Sequence, residues 1–290
     1  MTKATENNYL GIAGAAKLNI DTAVGKLAYI AAGSGPAVML VHGLGATGET
    51  WYRSIGPLAE RYTVVAPDLV GHGRSEGRRR LTKVEPLVVG VEALREALGI
   101  ERFAMVGHSL GGLVAARYAL DHKDRIAKLT LVDAGGIGRE MSWLLRLASV
   151  PLVGGLIFLP ATLTVRIYGR FVFHPPGEVK VSLLRSLHRS RVNHASAEAV
   201  RRAVERSVHR LGPTEDNYLL PRLKDLDIPV HIFWGQEDRL FPVSQVEGIA
   251  AAFPGVNVHI FSDVGHWPYA EASEMFNALL LDFLDQGERW

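Results

Sequence analysis

The chain has 290 residues, of which 48% are hydrophobic and 21% are charged, and its formal net charge is +2. This composition is typical of a folded soluble protein with a sizeable core. It excludes a disordered chain and a nucleic-acid-binding protein that depends on overall positive charge. Cysteine is absent, so disulfides, thiolate metal sites and cysteine nucleophiles are excluded as well.

Strand and helix patterns alternate along the first part of the chain. Two short segments, 17–21 and 27–30, flank Gly25 and predict an opening β-hairpin. The continuous apolar run 37–41 is typical of a strand that is buried on both faces. The elements predicted after it are helix 49–61, strand 63–66, helix 84–98, strand 103–106, a helix from residue 113 and strand 126–132.

The alternation stops between residues 137 and 213. Helical patterns occur there without buried strands, and one helical face collects Val200, Val204, Val208 and Leu211. The alternation then resumes as strand 230–234, helix 243–253, strand 256–261 and helix 271–284. Strands that alternate with helices predict an α/β fold, with a mostly parallel sheet and helices on both faces. We therefore predict an inserted helical cap, residues 137–213, on a core formed by residues 1–136 and 214–290.

Two stretches of the sequence, one in the predicted cap and one at the N-terminus, bear on whether the chain crosses or is exported across a membrane. The run from Leu147 to Val165 is uncharged and approaches the length of a spanning helix, but prolines and glycines interrupt it. We interpret it as a buried or cap segment and expect no transmembrane span. The first eight residues lack the apolar core of a signal peptide, so we expect a cytoplasmic location.

The basic residues between Lys180 and Arg210 outnumber the acidic ones by eight to two. A solvated helical face is the simpler interpretation of this excess. Attraction of anionic substrates or of a membrane surface is the alternative.

The strongest local signal is the sequence G-H-S-L-G at residues 107–111, between an apolar strand pattern and a helix pattern. This is the nucleophile-elbow pattern, in which a sharp strand-to-helix turn exposes a serine hydroxyl. Glycine is needed two residues before and two residues after the serine because a Cβ there would crowd the turn. The pattern predicts that Ser109 is a nucleophile at a helix N-terminus, where the N–H of Leu110 can face a developing oxyanion.

A serine nucleophile needs a neighbouring base, and the base needs a carboxylate that orients it. Functional groups in open parallel sheets gather at the carboxyl ends of the strands. Asp238 follows strand 230–234, and His266 follows strand 256–261. The order Ser109, Asp238, His266 along the chain is one in which such triads occur.

Five ordered motifs now span most of the chain, and with them the sequence resembles the α/β-hydrolase superfamily. The similarity is to its lid-bearing branch of esterases, lipases and carbon–carbon bond hydrolases. The motifs are H-G-L-G at 42–45, D-L-V-G-H-G-R-S at 68–75, G-H-S-L-G-G at 107–112, G-Q-E-D at 235–238 and G-H at 265–266.

The resemblance implies Ser109 as nucleophile, His266 as general base and acid, and Asp238 as the orienting acid. It also implies an oxyanion hole formed by the backbone N–H groups of Leu44 and Leu110. We place Gly43, His108 and Trp267 among the substrate-binding residues.

Other residues compete for these roles. Asp133, at the end of strand 126–132, and Glu237 are rivals of Asp238. The rivals of His266 are His42, His72 and His108, although the family uses histidine structurally in the first two motifs.

We interpret Asp68 and Arg74 as residues that fix a loop. No H-E-x-x-H or G-x-x-x-x-G-K pattern occurs, so we predict neither a metal site nor a cofactor.

The predicted function is hydrolysis of a small-molecule carboxylic ester with an apolar acyl or aryl group, through an acyl-enzyme on Ser109. The first alternative is a carbon–carbon bond hydrolase of aromatic ring-cleavage products. Trp267 resembles that group and Arg191 could hold a substrate carboxylate, but His108 stands where that group usually has asparagine. The second alternative, a ligand receptor on a hydrolase scaffold, is disfavoured by the intact triad. We expect no nucleic-acid partner, and the sequence does not indicate an oligomeric state.

Overall fold

An eight-stranded sheet forms the centre of the computed structural model, which describes residues 8–76, 84–148, 150, 169–174, 208–209, 212–287 and 290. Its strand order is β1-β2-β4-β3-β5-β6-β9-β10. The strands are β1 (Ala16–Thr22), β2 (Gly25–Ala32), β3 (Ala37–Val41), β4 (Thr63–Pro67), β5 (Phe103–His108), β6 (Ile126–Val132), β9 (Val230–Gly235) and β10 (Asn257–Phe261). A separate pair is formed by β7 (Val208–His209) and β8 (Gly212–Pro213).

The sheet is mostly parallel, as the alternation of strand and helix patterns predicts. Strands β1 and β2 form an antiparallel hairpin, and β2 also pairs antiparallel with β4. All pairs from β4 to β10 are parallel, so the carboxyl ends of β3, β5, β6, β9 and β10 lie at the same edge. This edge is where the loops with the predicted site residues begin.

Helices cover both faces of the sheet. They are α1 (Tyr52–Ala59), α2 (Glu85–Ala97), α3 (Leu110–Asp121), α4 (Trp143–Ala148), α5 (Leu220–Leu223), α6 (Gln245–Ala252), α7 (Pro268–Glu271) and α8 (Ser273–Asp285). Single 3-10 turns occupy Tyr9–Gly11, Gly48–Trp51, Lys123–Arg125 and Glu215–Asn217.

Two apolar clusters show which helices share a face. Successive side chains of a strand point to opposite faces of the sheet. Met39 of β3 packs in the cluster that contains α2, α3, α5 and α6. Its neighbours Val38 and Leu40 pack in the other cluster, with α1 and α8. Both faces of β3 are therefore buried, which explains why its sequence is apolar without alternation.

Two helix predictions differ from the structure in detail. The helix predicted over 49–61 begins as the 3-10 turn Gly48–Trp51 and continues as α1. The helix predicted over 271–284 is divided into α7 and α8 at Ala272, whose backbone is not helical (φ −120°, ψ 46°). The division separates Glu271 from α8 and leaves its side chain beside the loop that precedes α7.

The helical face predicted for the cap is wrong at Val208, which lies in strand β7. Gly212 and Pro213 follow closely, and proline cannot continue a helix because it lacks the N–H donor. The other members of that face, Val200, Val204 and Leu211, lie outside the described residues, as does most of the predicted cap.

Candidate active site

Ser109 lies in a strained turn between strand β5 and helix α3. Its backbone has φ 55° and ψ −117°, a conformation that few residues other than glycine adopt. The turn is held by β6, because the N–H of Ser109 donates to Val132 O (3.0 Å) and the N–H of Gly135 donates to Ser109 O (3.1 Å). The serine side chain is thereby fixed at the end of the sheet.

The two glycines around Ser109 are required by close contacts. A Cβ on Gly107 would lie 2.3 Å from Gly111 O and 2.7 Å from the Ala115 Cβ. A Cβ on Gly111 would lie 2.4 Å from the carbonyl oxygen of Val41 at the end of β3. The spacing of the motif therefore follows from how closely α3 approaches β3 and β5.

The loop after β3 runs next to the serine. A Cβ on Gly43 would lie 3.0 Å from the Ser109 Cβ and 2.9 Å from the His108 Nδ1, so only glycine allows this approach. Leu44 follows, and its N–H makes no backbone hydrogen bond with another described residue. Leu110 is the first residue of α3, and the first N–H groups of a helix have no intrahelical acceptor. Two N–H groups are thus available near Ser109.

Asp238 and His266 meet at the same edge of the sheet. The Nδ1 of His266 donates to Asp238 Oδ2 at 2.7 Å, and both side chains are buried. The other oxygen of Asp238 accepts the N–H groups of Leu240 (2.7 Å) and Phe241 (3.1 Å), which fixes the carboxylate. The Nε2 of His266 is buried and has no hydrogen-bond partner among the described residues.

The rival Asp133 lies within the same group. Ligand atoms of Asp133, Asp238 and His266 all lie within 4.8 Å of one another. Asp133 Oδ1 accepts the N–H of Gly235 at 2.9 Å. Complete burial, together with the charge of Asp238, raises the pKa of Asp133 well above its ordinary value. Burial therefore favours the protonated form of Asp133, and the hydrogen bond to His266 is made by Asp238.

The other rivals make different contacts. Glu237 is half-buried, and its backbone N–H donates to Val264 O (2.8 Å). His42 accepts the N–H of Leu69 at Nε2 (3.0 Å), so its Nδ1 carries the proton and donates to Gly43 O (2.7 Å). Burial lowers the pKa of His42 to about 4, and burial with the nearby His42 lowers that of His72 to about 3. These two histidines are neutral, and His42 supports the Gly43 turn.

The predicted loop-fixing role of Asp68 agrees with its contacts. Its carboxylate accepts the N–H groups of Gly48 and Arg74, both at 2.9 Å, and so joins two loops.

His108 is buried against the loop that carries His266. Its Nε2 lies 2.7 Å from His266 O, and a carbonyl only accepts, so this nitrogen carries the proton. The Nδ1 then accepts from the Tyr269 hydroxyl at 3.2 Å. Burial, followed by the neighbouring His266, lowers the pKa of His108 well below its ordinary value. Its predicted role in substrate binding stays a prediction, and its described contacts are with the histidine loop.

Trp267 is equally buried. Its ring packs between Phe173, with centroids 5.6 Å apart, and Tyr269, with centroids 5.5 Å apart. A direct substrate contact by Trp267 likewise stays a prediction.

Glu271 is the functional candidate that sequence reasoning missed. Its carboxylate accepts the N–H groups of Gly265 (3.0 Å) and Trp267 (2.9 Å), which flank His266. The only signal in the sequence is that Glu271 is an acidic residue five positions after His266, at the start of the predicted helix 271–284.

Within the part of the chain that the structure describes, Asp133, Asp238 and His266 form the group whose geometry could hold a metal ion. The two atoms that would face the ion, His266 Nδ1 and Asp238 Oδ2, already bind each other, and the whole group is buried. We interpret the group as an acid–base arrangement.

Within the described ranges no helix is long and apolar enough to cross a membrane. Arg191 and most of the 147–165 run lie outside those ranges.

Comparisons with known proteins agree with this architecture. A family model described as the alpha/beta hydrolase fold matches residues 36–150 and 179–273. An uncharacterised protein of Mycobacterium tuberculosis is 34% identical over 273 residues, which cover 90% of this chain and 79% of the relative.

Two further relatives carry names that describe an activity. A 2-hydroxy-6-oxo-6-phenylhexa-2,4-dienoate hydrolase of Comamonas testosteroni is 28% identical over 300 residues, which cover 99% of this chain and all of that protein (100%). The crystal structure of a membrane phospholipase A, described as a bacterial virulence factor, superposes with a TM-score of 0.80 at 29% identity. That superposition covers 94% of this chain and 86% of the phospholipase chain.

Proposed function

This chain belongs to the α/β-hydrolase family, and we propose that it is a serine hydrolase that cleaves carboxylic esters. Ser109 is the proposed nucleophile, His266 the general base and acid, and Asp238 the acid that orients His266. The observation that carries the proposal is the buried 2.7 Å hydrogen bond from His266 Nδ1 to Asp238, which leaves Nε2 of His266 without a partner among the described residues. A neutral imidazole in this state accepts a proton at Nε2.

The proposed reaction has two halves. His266 takes the hydroxyl proton of Ser109 as the serine oxygen attacks the ester carbonyl, and the N–H groups of Leu44 and Leu110 stabilise the oxyanion. The alcohol leaves with the proton from His266, and an acyl-enzyme forms on Ser109. Water, activated by His266, then releases the acid and restores the serine. Asp238 stabilises the imidazolium in both halves.

The proposed substrate class rests on the partly exposed side chains around Ser109, which we take as the opening of the site. Ser109, Leu44 and Leu110 are half-buried, whereas most of their neighbours are fully buried. Phe241 is also half-buried, and its ring centroid lies 5.6 Å from that of His266. These side chains favour an apolar acyl or aryl group, and the similarity to a phospholipase agrees with such a group. We also propose that residues 137–213 form a cap over this opening.

A carbon–carbon bond hydrolase is the second candidate. The full-length similarity to a 2-hydroxy-6-oxo-6-phenylhexa-2,4-dienoate hydrolase favours it, as does Trp267 next to the proposed base. His108 argues against it, because its ring is committed to His266 O and Tyr269 and a polar amide is absent at that position.

The test is a series of p-nitrophenyl esters from acetyl to long acyl chains, assayed beside 2-hydroxy-6-oxo-6-phenylhexa-2,4-dienoate. We expect ester turnover that falls by at least about 10³-fold in Ser109→Ala. Ser244→Ala is the matched control, because this serine is exposed and bonds Glu140, away from the site. Turnover of the dienoate alone would favour the second candidate, and full ester turnover in Ser109→Ala would contradict the proposed nucleophile.

A further inference from the structure

The side chain of Glu271 joins two separate segments of backbone. It accepts the N–H groups of Gly265 (3.0 Å) and Trp267 (2.9 Å), one on each side of His266. It also accepts the N–H of His174 at 2.7 Å, from the segment 169–174 that belongs to the predicted cap. One carboxylate therefore satisfies three backbone donors that would otherwise need other acceptors in a largely buried place.

The segment 169–174 lies directly on the histidine loop. The N–H of His266 itself donates to Val172 O at 2.7 Å. A Cβ on Gly265 would lie 2.7 Å from Val172 O and 3.0 Å from His174 N, so glycine is required for this contact. Val172 and Phe173 are buried, and Phe173 packs on Trp267. The histidine loop and segment 169–174 are thus held in place by the same set of hydrogen bonds.

The charge of Glu271 also acts on the site. Burial raises the pKa of Glu271, whereas its three N–H donors and the nearby His266 favour the ionised carboxylate. Among the described residues, the other titratable groups around His266 and Glu271 are Asp133, Asp238 and His108, and His174 contacts Glu271 through its backbone N–H.

We propose that Glu271 is a positioning residue for His266, and that it couples the histidine loop to segment 169–174 of the cap. This inference rests on the proposed function, in which His266 is the base. In the folded enzyme Glu271 holds the backbone on both sides of the imidazole and adds a negative charge near it. A displacement of segment 169–174 would therefore move the backbone of His266, because Val172 O and the Glu271 carboxylate connect the two.

Two variants of Glu271 test how its carboxylate acts on His266. Glu271→Gln has the same shape but no charge, and its amide nitrogen cannot accept an N–H bond. We expect kcat on the best p-nitrophenyl ester to fall by about 10- to 100-fold, with a smaller change in KM, because a misplaced catalytic group costs about that much.

Glu271→Asp keeps the charge but is one methylene shorter. It should also lose kcat, because the shorter side chain cannot reach the N–H groups of Gly265, Trp267 and His174 together. Glu274→Gln is the matched control, since this exposed glutamate in the first turn of α8 has the same charge and does not face the loop. A purely structural role would lower the amount of folded enzyme and leave kcat per folded molecule unchanged.

Amide hydrogen exchange gives a readout that does not depend on activity. Peptides that contain 264–268 and 169–174 should exchange faster in both Glu271 variants, and they should be unchanged in Glu274→Gln. If the unchanged enzyme turns over no ester, the proposed function fails while exchange still tests the coupling. Variants of Glu271 with unchanged kcat and unchanged exchange would overturn the inference.

Discussion

Two buried carboxyl groups, Asp133 and Asp238, stand at the ends of neighbouring strands and have different roles. Asp238 bonds His266 and accepts two further N–H groups, which stabilise its ionised form. Among the described residues Asp133 has one N–H donor, Gly235, and the pKa of Asp133 is raised by burial and by Asp238. A protonated Asp133 can donate a hydrogen bond to Asp238, so we interpret it as a support for the acid.

The matched pair Asp238→Asn and Asp133→Asn tests this division. An asparagine at 238 cannot stabilise an imidazolium and favours the wrong tautomer of His266, so we expect kcat to fall by about 10²- to 10⁴-fold. An asparagine at 133 still accepts from Gly235 and donates to Asp238, so the loss should stay within about 10-fold. Ester turnover measures both variants. Equal losses in the two would contradict the assignment of Asp238 as the acid.

His72 provides a residue-scale test of stability. The pKa of His72 is lowered to about 3 by burial and by His42, whereas an unfolded histidine takes up its proton near pH 6.5. As pH falls from 6.5 towards 3, the unfolded chain binds the proton and the folded chain does not. The stability that the neutral histidine contributes is therefore complete above pH 6.5 and is lost below it.

The measurement is urea unfolding at several pH values between 6 and 4. We expect the free energy of unfolding to fall with pH less steeply in His72→Asn than in the unchanged protein. The difference in slope should be about 1.4 kcal/mol per pH unit. Parallel slopes would mean that His72 is protonated in the folded protein over this range.

The strand-to-helix turn around Ser109 is the element on which the site depends. Gly111 lies where α3 crosses the end of β3, and a Cβ there would meet Val41 O at 2.4 Å and His42 O at 2.5 Å. Both contacts are with backbone, which cannot move aside as a flexible side chain can. The close crossing brings the Leu110 N–H and the loop of Leu44 to the same place.

Gly111→Ala should therefore damage both stability and turnover. We expect a loss of about 1–3 kcal/mol in the free energy of unfolding, as for other overpacked positions, and at least about 10²-fold in kcat. Gly248→Ala is the control, because Gly248 lies inside α6 with nothing within 4 Å of its added Cβ. That change should stabilise the protein by about 0.5–1 kcal/mol. Thermal unfolding and ester turnover are measured for both variants. Unchanged stability and turnover in Gly111→Ala would contradict the close contact between α3 and the end of β3.

At the scale of the whole molecule, the sequence predicted the sheet and the loops that carry the site. The buried strands β3 and β5 were recognisable because their sequences are continuous apolar runs without alternation. Local spacing also predicted the strand-to-helix turn at Ser109, since the close contact between Gly107 and Gly111 O lies within the motif. Features that depend on distant contacts were not predictable. Glu271, for example, bonds His174, which is almost a hundred residues away in the chain.

The most direct test of the account is to label the enzyme with a fluorophosphonate and locate the adduct by peptide mass spectrometry. A serine that is activated by His266 and Asp238 should be phosphonylated stoichiometrically, and the adduct should lie on Ser109. Labelling should be absent in Ser109→Ala and slowed by at least about 10²-fold in His266→Gln. Folded protein that is not labelled, or that is labelled at another residue, would contradict the proposed nucleophile and the mechanism built on it.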